Sequence, residues 1–410
     1  MASRYELRYE KRLQDRLKEH EQQGDRQAMA EVCHQLGAFY RDRGDTEAGV
    51  RLFRRALVLC ESVHDKLGVA SAYTQLGLLM ERQGEFGQAR FYLEESRRLN
   101  EEHENLEGLA RANGYIGFLD FLQGDYAAAE KAYRWALELD EQIQSPGGQA
   151  EDYGNLGSLM AAQSRYQEAE AMHQQALLLY EKAGDRRGMG GQYRSLAVLW
   201  QQRGDLEQAR VFYELALSLH RELDWQCGVA LAEDGLGQVA EREGDLERAL
   251  AWYTKALERF RHGGYKQSIV DVNRRLGSVC LRLDEHADAV MHYEEALDLC
   301  EEMDDRQGVG RCCKQLGDLY LSLAVDDPDR ASVMLERALT TYRALNDERG
   351  EGAVYTSLGN LAARRGEITQ AIAMWTAASA RYRKLGVDDR VMEIDTAIKR
   401  LWGHNSSRVA

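Results

Sequence analysis

The chain has 410 residues, contains two prolines (Pro146 and Pro328) and is rich in the helix formers Ala, Leu, Glu, Arg and Gln, which predicts an all-helical protein. Its net charge of −15 argues against general nucleic-acid binding, which requires a basic face. It has no apolar run near the roughly 20 residues of a membrane span, and its seven cysteines lack the C-x-x-C spacing of a zinc site or a disulfide framework.

Residues 1–29 are expected to form an N-terminal capping helix and turn. The segment is charged throughout and has no apolar core, so it resembles neither a secretory signal nor an acid-poor transit peptide, and we expect a cytoplasmic protein. Tyr9, Leu13 and Leu17 lie at helical spacing and should face the first repeat, while charged residues cover the rest, as the end of a repeat array requires.

From residue 30 onward one pattern recurs every 40 residues, with a single step of 42 near Pro328. It begins with a large apolar residue followed by a small one: Leu36-Gly37, Leu76-Gly77, Ile116-Gly117, Leu156-Gly157, Leu196-Ala197, Leu236-Gly237, Leu276-Gly277, Leu316-Gly317 and Leu358-Gly359. Turn residues follow eight positions after the leading residue in most copies: Gly44, Gly84, Gly124, Ser164, Gly204, Gly244, Asp284 and Gly366.

The second half of each copy has a small, a large and a small residue. The large positions are Phe53, Leu93, Tyr133, His173, Tyr213, Tyr253, Tyr293, Leu335 and Trp375. Two apolar stripes at three-to-four spacing, separated by a turn glycine, predict a helical hairpin in which small residues let the helices approach closely. One hairpin cannot bury both stripes, so the hairpins must stack.

This pattern resembles the tetratricopeptide repeat (TPR), and its 40-residue unit is similar to the long repeats of Pins/LGN-type adaptors and kinesin light chains. The resemblance implies an all-α, right-handed α-solenoid superhelix of about nine stacked TPR hairpins with capping helices. The expected repeats are 30–69, 70–109, 110–149, 150–189, 190–229, 230–269, 270–309, 310–351 and 352–391.

The stretch GDRRGMGG, residues 184–191, looks like a phosphate-binding loop because it has four glycines and two arginines before a helix. Its Gly188, however, recurs in register as Gly68, Gly108, Gly148, Gly228, Gly308 and Gly350. Walker and Rossmann loops follow a strand, and this pattern leaves no place for one. We therefore interpret it as a connection between hairpins, with Gly184 as a helix C-cap and Asp185 as a turn or cap residue.

Residues 392–403 are predicted to form a C-terminal capping helix, because Ile394, Ile398 and Leu401 would pack on the ninth repeat. Residues 404–410 are expected to be a disordered tail.

The resemblance places the first helix of each hairpin on a concave face, where partners, usually peptides or extended segments, bind. One candidate zone lies in the third and fourth repeats, where a solvated face would not carry two phenylalanines and small residues. Asn155 stands where the adaptor subclass holds the partner's main chain, but other copies lack this Asn. The candidate residues are Arg111, Gly114, Phe118, Phe121, Asn155 and Ser158.

A second candidate zone is basic within an acidic protein. Its residues, on later first helices, are Arg194, Arg274, Arg275, Arg311 and Lys314. They would attract carboxylates, which arginine can hold bidentately, although each could instead pair with neighbouring acids. The expected partner is another protein, through an acidic segment with apolar anchors.

Catalysis has no anchor in the sequence. The histidines occupy different register positions, His173 replaces a core aromatic, and we expect no catalytic, cofactor-binding or metal site. The leading hypothesis is a non-enzymatic protein-interaction scaffold that binds an extended or helical segment. The alternative is a ligand- or peptide-responsive regulator that changes its superhelix on binding. Such sensors usually carry an added effector domain and repeat-bearing phosphatases an N-terminal bundle, and neither is expected in this chain.

Overall fold

The computed structural model describes residues 4–322 and 325–409, and these residues form helices and short turns with no strand. The chain divides into two compact units, Met1–Lys266 (unit 1) and Gln267–Ala410 (unit 2). The all-helical architecture of stacked hairpins expected from the 40-residue repeat is confirmed in each unit.

Unit 1 consists of one leading helix and six hairpins, in each of which a first helix (helix A) packs against a second (helix B). The helices are α1 (Arg4–Gln23), α2 (Arg26–Asp42), α3 (Thr46–Ser62), α4 (Lys66–Arg82), α5 (Phe86–Glu102), α6 (Leu106–Leu122), α7 (Tyr126–Gln142), α8 (Pro146–Ala162), α9 (Tyr166–Ala183), α10 (Arg186–Arg203), α11 (Leu206–Glu222), α12 (Gln226–Glu243) and α13 (Leu246–Gly263). Each packs against its neighbours in sequence, and the A helices α2, α4, α6, α8, α10 and α12 also contact one another in succession.

Unit 2 continues the same pattern. Its helices are α14 (Lys266–Arg282), α15 (His286–Glu302), α16 (Arg306–Leu321), α17 (Pro328–Ala344), α18 (Glu348–Arg364), α19 (Ile368–Lys384) and α20 (Asp388–Val409). The A helices α16 and α18 contact each other, and α20 packs against α19.

The connections have the predicted chemistry. Gly44 adopts φ +79, a left-handed conformation that glycine accepts without strain, and Asp45 then caps α3 by accepting a hydrogen bond from the Ala48 amide at 3.0 Å. Ser164 and Asp284, where the pattern loses its glycine, keep the same turn at φ 60 and φ 62. The repeat therefore preserves the backbone conformation more strictly than the residue type.

The glycine of the Leu-Gly pair makes room for the large residue on the partner helix. A Cβ added at Gly37 would lie 2.8 Å from Phe53 Cε1, and one at Gly237 would lie 2.6 Å from Tyr253 Cδ1. Real Cβ atoms do not approach so closely, so the large residue on helix B can occupy its place only because helix A has a glycine opposite it. This pairing brings helices A and B together over a fully buried aromatic ring.

The GDRRGMGG stretch is a hairpin connection. Gly184 ends α9 in the left-handed conformation at φ 68, and the Asp185 carboxylate accepts hydrogen bonds from the amides of Arg187 and Gly188, both as predicted. A Cβ added at Gly188 would lie 2.3 Å from Tyr180 Cδ1, so this glycine is required by close packing.

Helices lie at both ends of the array. Leu13 and Leu17 are buried with Val32 and Leu36, while Tyr9 is largely exposed with its ring 5.9 Å from that of Phe39. At the other end α20 begins before residue 392 and continues through positions 404–409, where the sequence suggests a disordered tail; no proline interrupts the segment. Ile394 is buried and Ile398 half-buried, and the side chain of Leu401 lies outside the described residues.

Unit 1 curves far enough for its first and last hairpins to meet. A Cβ added at Gly264, in the turn after α13, would lie 3.6 Å from Nη2 of Arg43 in the turn between α2 and α3. A Cβ added at Gly44 would lie 3.7 Å from Cβ of Lys266. The succession of A helices lines the inner side of this curve, because these helices contact one another across successive hairpins.

Three sequence expectations about chemistry can be compared with the described residues. The cysteines are free thiols, and all except the half-buried Cys227 are buried. No three His, Cys, Asp or Glu side chains in the described ranges lie together as metal ligands would. Over the same ranges, none of the helices combines the length and apolarity needed to cross a bilayer.

Candidate functional site

A cavity of about 1060 Å³ lies against the inner face of unit 1. Its walls are the A helices α4, α6, α8 and α10, with further residues from the ends of α2, α7 and α9. We call this space the groove cavity. Four consecutive hairpins contribute to its lining.

Most of the candidate residues of unit 1 lie together in the groove cavity. They are Arg111, Gly114, Phe118, Asn155, Ser158 and Arg194. Arg194, which the sequence analysis groups with the basic zone of later repeats, is therefore part of the same site as the apolar zone.

Phe121 does not line the groove cavity. It is half-buried and packs against the core cluster that contains Tyr133, Leu156 and Leu159. Phe118 is 37% exposed, and its ring stacks on that of Phe121 with centroids 6.4 Å apart. The core therefore supports one exposed aromatic face in the groove, and the other phenylalanine belongs to the fold.

Several polar side chains of the groove keep hydrogen-bonding capacity. Arg111 forms an ion pair with Glu107 at 2.5 Å, and Ser158 Oγ donates to the Gly154 carbonyl at 3.0 Å. Within the described residues, the amide of Asn155 has no hydrogen bond to the protein and the guanidinium of Arg194 has no ion pair. Both groups are half-buried and available to a ligand.

Two carboxyl groups meet at the wall of the groove. Asp140 at the end of α7 and Asp152 in α8 are 7% and 4% exposed. Burial, together with the negative charge of Asp140, raises the pKa of Asp152 to about 8, and burial also raises the pKa of Asp140. Asp152 therefore stays protonated to a higher pH than an ordinary aspartate, beside the carboxyl group of Asp140, and its Oδ2 has no hydrogen-bond partner among the described residues.

Glycines shape the space around these groups. A Cβ added at Gly148 would lie 2.1 Å from Oδ2 of Asp140, so that glycine admits the buried carboxylate. A Cβ at Gly154 would lie 2.5 Å from Nε2 of Gln192. At Gly114, the nearest atom to an added Cβ would be Oδ1 of Asp152 at 3.9 Å, so the groove stays open in front of that carboxyl group.

The amide of Gln192 is oriented from behind the groove. His173 in α9 is 1% exposed, as expected for a histidine that replaces a core aromatic, and burial lowers its pKa. Its Nδ1 lies 3.1 Å from Oε1 of Gln192. A carbonyl oxygen only accepts, so Nδ1 carries the proton and the amide nitrogen of Gln192 is directed to the Gly154 side.

In unit 2 three of the four remaining basic candidates have partners. Arg274 donates to Gln315 Oε1 at 2.9 Å, and Lys314 forms an ion pair with Asp318 at 2.6 Å. Arg275 also has a partner, and Arg311 is half-buried with its Nε buried and unbonded. Lys314 and Asp318 line a separate cavity of about 450 Å³ between α16, α18 and α20.

The sequence analysis missed Asp140, Asp152 and Gln192, although the repeat register contains the signal for two of them. The buried position of Asp152 and Gln192 carries an apolar residue in the other copies: Val32, Ala72, Ala112, Ala232, Val272, Cys312 and Val354. A carboxyl group and an amide in a buried apolar column mark a site that packing does not explain.

Models of the tetratricopeptide repeat match most of the chain. One matches residues 27–102, 108–182 and 268–344, a second matches 191–223 and a third matches 235–261. Among curated proteins, no sequence matches the chain.

Solved structures with a similar fold include a signal transduction ATPase with numerous domains and a tetratricopeptide repeat sensor from Pyrococcus horikoshii. It has a TM-score of 0.59 and 15% identity over 84% of this chain and 55% of that chain. A Rap protein complexed with competence and sporulation factor has a TM-score of 0.54 and 14% identity, over 92% and 98% of the two chains. Aspartyl phosphate phosphatase F from Bacillus subtilis has a TM-score of 0.52 and 11% identity, over 86% and 93%. At these identities the likeness concerns the fold.

Proposed function

Because the chain belongs to the tetratricopeptide repeat family, we propose that it is a non-enzymatic protein-interaction scaffold whose groove cavity binds an extended or helical segment of a partner. The observation that carries the proposal is the groove itself. It is lined by four hairpins and combines an exposed aromatic ring with the polar groups of Asn155 and Arg194, which have no partner among the described residues.

Each kind of group has a role in holding a peptide segment. Phe118 would bury an apolar side chain of the partner, since it is the exposed aromatic of the inner wall. Asn155 would bond the partner's main chain through its amide, which can both donate and accept. Arg194 would take a carboxylate bidentately, which agrees with the acidic segment that the basic zone suggests.

The basic residues of unit 2 contribute differently in this proposal. Arg274 and Lys314 are half-buried and already have partners, so a ligand would have to replace existing bonds there. We assign the affinity for the peptide segment to the groove of unit 1, and Arg274, Arg275, Arg311 and Lys314 stay candidates for a separate electrostatic contact of unit 2.

A peptide library tests the proposal directly. The full chain is incubated with degenerate ten-residue peptides, and retained peptides are quantified by mass spectrometry. We expect Phe118→Ala and Asn155→Ala each to reduce retention about tenfold, the effect of losing roughly 1.4 kcal/mol. Phe91→Ala is the matched control, because Phe91 is an equally large, exposed aromatic on the B helix α5. Equal retention by wild type and both groove variants would refute the groove assignment.

The second candidate function is a peptide-responsive regulator. It is favoured by the contact of the α2–α3 turn with the turn after α13, because a segment that widens the groove would open this contact. The Rap protein with a related fold was solved with a bound factor, which supports this alternative as an analogy. Small-angle scattering with and without a retained peptide distinguishes the two: an altered radius of gyration indicates a regulator, and an unchanged one a static scaffold.

A further inference from the structure

Asp152 has no structural function that the fold requires. Its position is filled by buried alanine in the second, third and sixth hairpins, which are built from the same pair of packed helices. A buried carboxyl group costs free energy unless it is bonded or paired with a cation. Asp152 therefore introduces a cost that an alanine would avoid.

Among the described residues, no ion pair joins a cationic side chain to Asp140 or Asp152. The positive charge that acts on Asp140 is that of Arg111, and the Arg111 guanidinium is held by Glu107 at 2.5 Å instead. Oδ2 of Asp152, in a side chain that is 96% buried and lines the groove cavity, has no hydrogen-bond partner among the described residues. An unbonded, buried acceptor at a cavity wall indicates that a ligand completes its bonding.

The groove is open in front of these oxygens. Gly114 on the facing helix α6 has no side chain to fill the space in front of Oδ1 of Asp152. A Cβ added at Gly114 would lie 3.9 Å from that oxygen, at ordinary van der Waals distance. Gly147, at the start of α8, has no atom within 4 Å of an added Cβ. A long, flexible side chain or a chain terminus can therefore approach the pair from the groove.

We propose that the Asp140–Asp152 pair is the receptor for a cationic group, an ammonium or a guanidinium, of the bound peptide segment. This inference rests on the proposed function and specifies the chemistry of the segment: a cation at the Asp pair, in addition to the apolar residue at Phe118. The two carboxylates offer four acceptor oxygens, which match the donors of either cation.

Binding has a defined proton balance. The free pair holds one proton between its two carboxyl groups, and a bound cation favours full ionisation, so that proton leaves to solvent. The other titratable groups around the pair are Glu107 and Arg111 on α6, Tyr133 on α7, Glu151 on α8 and Tyr180 on α9; Gln192 on α10 is neutral. Neither Tyr133 nor Tyr180 titrates near neutrality, because burial raises the pKa of each hydroxyl above its usual value. Affinity for the cation should therefore increase from pH 6 to pH 9.

The test uses ten-residue peptides, blocked at both ends, in which the central residue is fixed and the others are degenerate but uncharged. Four pools carry Lys, Arg, norleucine or Glu at the centre, and a fifth carries norleucine with a free N-terminus. The fifth pool separates a terminal ammonium from a side-chain cation. Retention is measured on the full chain as wild type, Asp152→Asn, Gly114→Leu and Glu94→Gln.

We expect wild type to retain a cationic pool about tenfold more than the blocked norleucine pool. Asp152→Asn removes the charge at constant shape, and Gly114→Leu fills the space without changing charge, so both should abolish the preference. Glu94→Gln, an exposed acid on the B helix α5 that does not line the groove cavity, should preserve it. Thermal unfolding of each variant verifies that it is folded.

The outcomes separate this inference from the proposed function. Retention of all pools without a preference for cations, or a preference that survives Asp152→Asn, overturns the inference and leaves the groove as a peptide site. Retention of no pool by wild type overturns both. A preference for the Glu pool would assign the groove to acidic segments through Arg194 alone.

Discussion

His173 in α9 and Gln192 in α10 form a buried hydrogen bond, Nδ1 to Oε1, at 3.1 Å. Both residues depart from the repeat, since His173 stands in the column of large core residues and Gln192 in a column of small apolar ones. The two departures are coupled, because each supplies the partner that the other needs when buried. A B helix thereby determines the polarity of the groove lined by the A helices.

A double-mutant cycle tests this coupling. His173→Phe restores the apolar column but leaves Oε1 of Gln192 unbonded, so we expect a loss of about 1 kcal/mol in the free energy of unfolding. Adding Gln192→Ala should recover most of that loss, since it removes the orphaned group. Denaturant unfolding of the four proteins gives the interaction energy. Strictly additive effects would show that the bond contributes nothing.

Two glycines of the GDRRGMGG stretch should differ in their tolerance of alanine. Gly188→Ala places a Cβ 2.3 Å from the Tyr180 ring and should lower the free energy of unfolding by about 1–3 kcal/mol. Gly191 lies in the same helix as Gly188, but a Cβ added there would have no neighbouring atom within 4 Å. Gly191→Ala should therefore be neutral or stabilise the protein by up to about 1 kcal/mol. Thermal unfolding of the two variants checks the pair. A phosphate-binding loop would not produce this difference, and equal midpoints would contradict the packing role.

The repeat allowed the helices, their order and their turns to be predicted, because each rests on local spacing that recurs many times. Phe118 and Asn155, which the register singles out, line the groove cavity. Phe121, three residues from Phe118 and grouped with it by sequence, is instead half-buried against the core. Helical spacing alone does not tell which edge of the stripe the next hairpin covers.

The buried polar groups required three-dimensional information. Asp140 and Asp152 come from different helices, and only the packing of α7 against α8 brings their carboxyl groups together. The closure of unit 1 between Arg43 and Gly264 likewise depends on small rotations accumulated over six hairpins. Neither relationship can be predicted from the spacing of residues in a single sequence.

The two stacked phenylalanines should separate binding from stability. Phe121→Ala removes a ring packed on the core cluster and should lower the free energy of unfolding by about 2–4 kcal/mol. Phe118→Ala removes an exposed ring and should change stability by less than about 1 kcal/mol while weakening peptide retention. Unfolding curves and the peptide assay on the same preparations provide both values. A stability loss at Phe118 equal to that at Phe121 would argue against its role in the groove.

His220 should make the protein sensitive to acid. Burial, with the positive charges of Arg194 and Arg187, lowers its pKa to about 4, against about 6.5 in the unfolded chain. As the pH falls from 6.5 to 4, the unfolded state takes up a proton that the native state refuses, so stability decreases by up to about 1.4 kcal/mol per pH unit. The next copy of the repeat has Phe260 at the position of His220. His220→Phe should therefore reduce the loss of stability at low pH. Melting temperatures at pH 7.5 and 5 test it, and identical shifts in both proteins would exclude His220 as the cause.

Asp152 should have the opposite pH dependence. Its pKa is raised to about 8 in the native state, against about 3.9 when unfolded, so its contribution to stability is complete below pH 4 and is lost as the pH rises towards 8. Asp152→Asn removes this loss, and we expect the variant to gain stability relative to wild type progressively between pH 5 and pH 8. Comparing the two proteins at each pH cancels the histidine contributions, which they share. Glu94→Gln, which removes one exposed carboxylate outside the groove cavity, is the control for the loss of a negative charge. A constant difference between wild type and Asp152→Asn across this range would mean that the carboxyl group is already ionised at neutral pH and that the pair holds no shared proton.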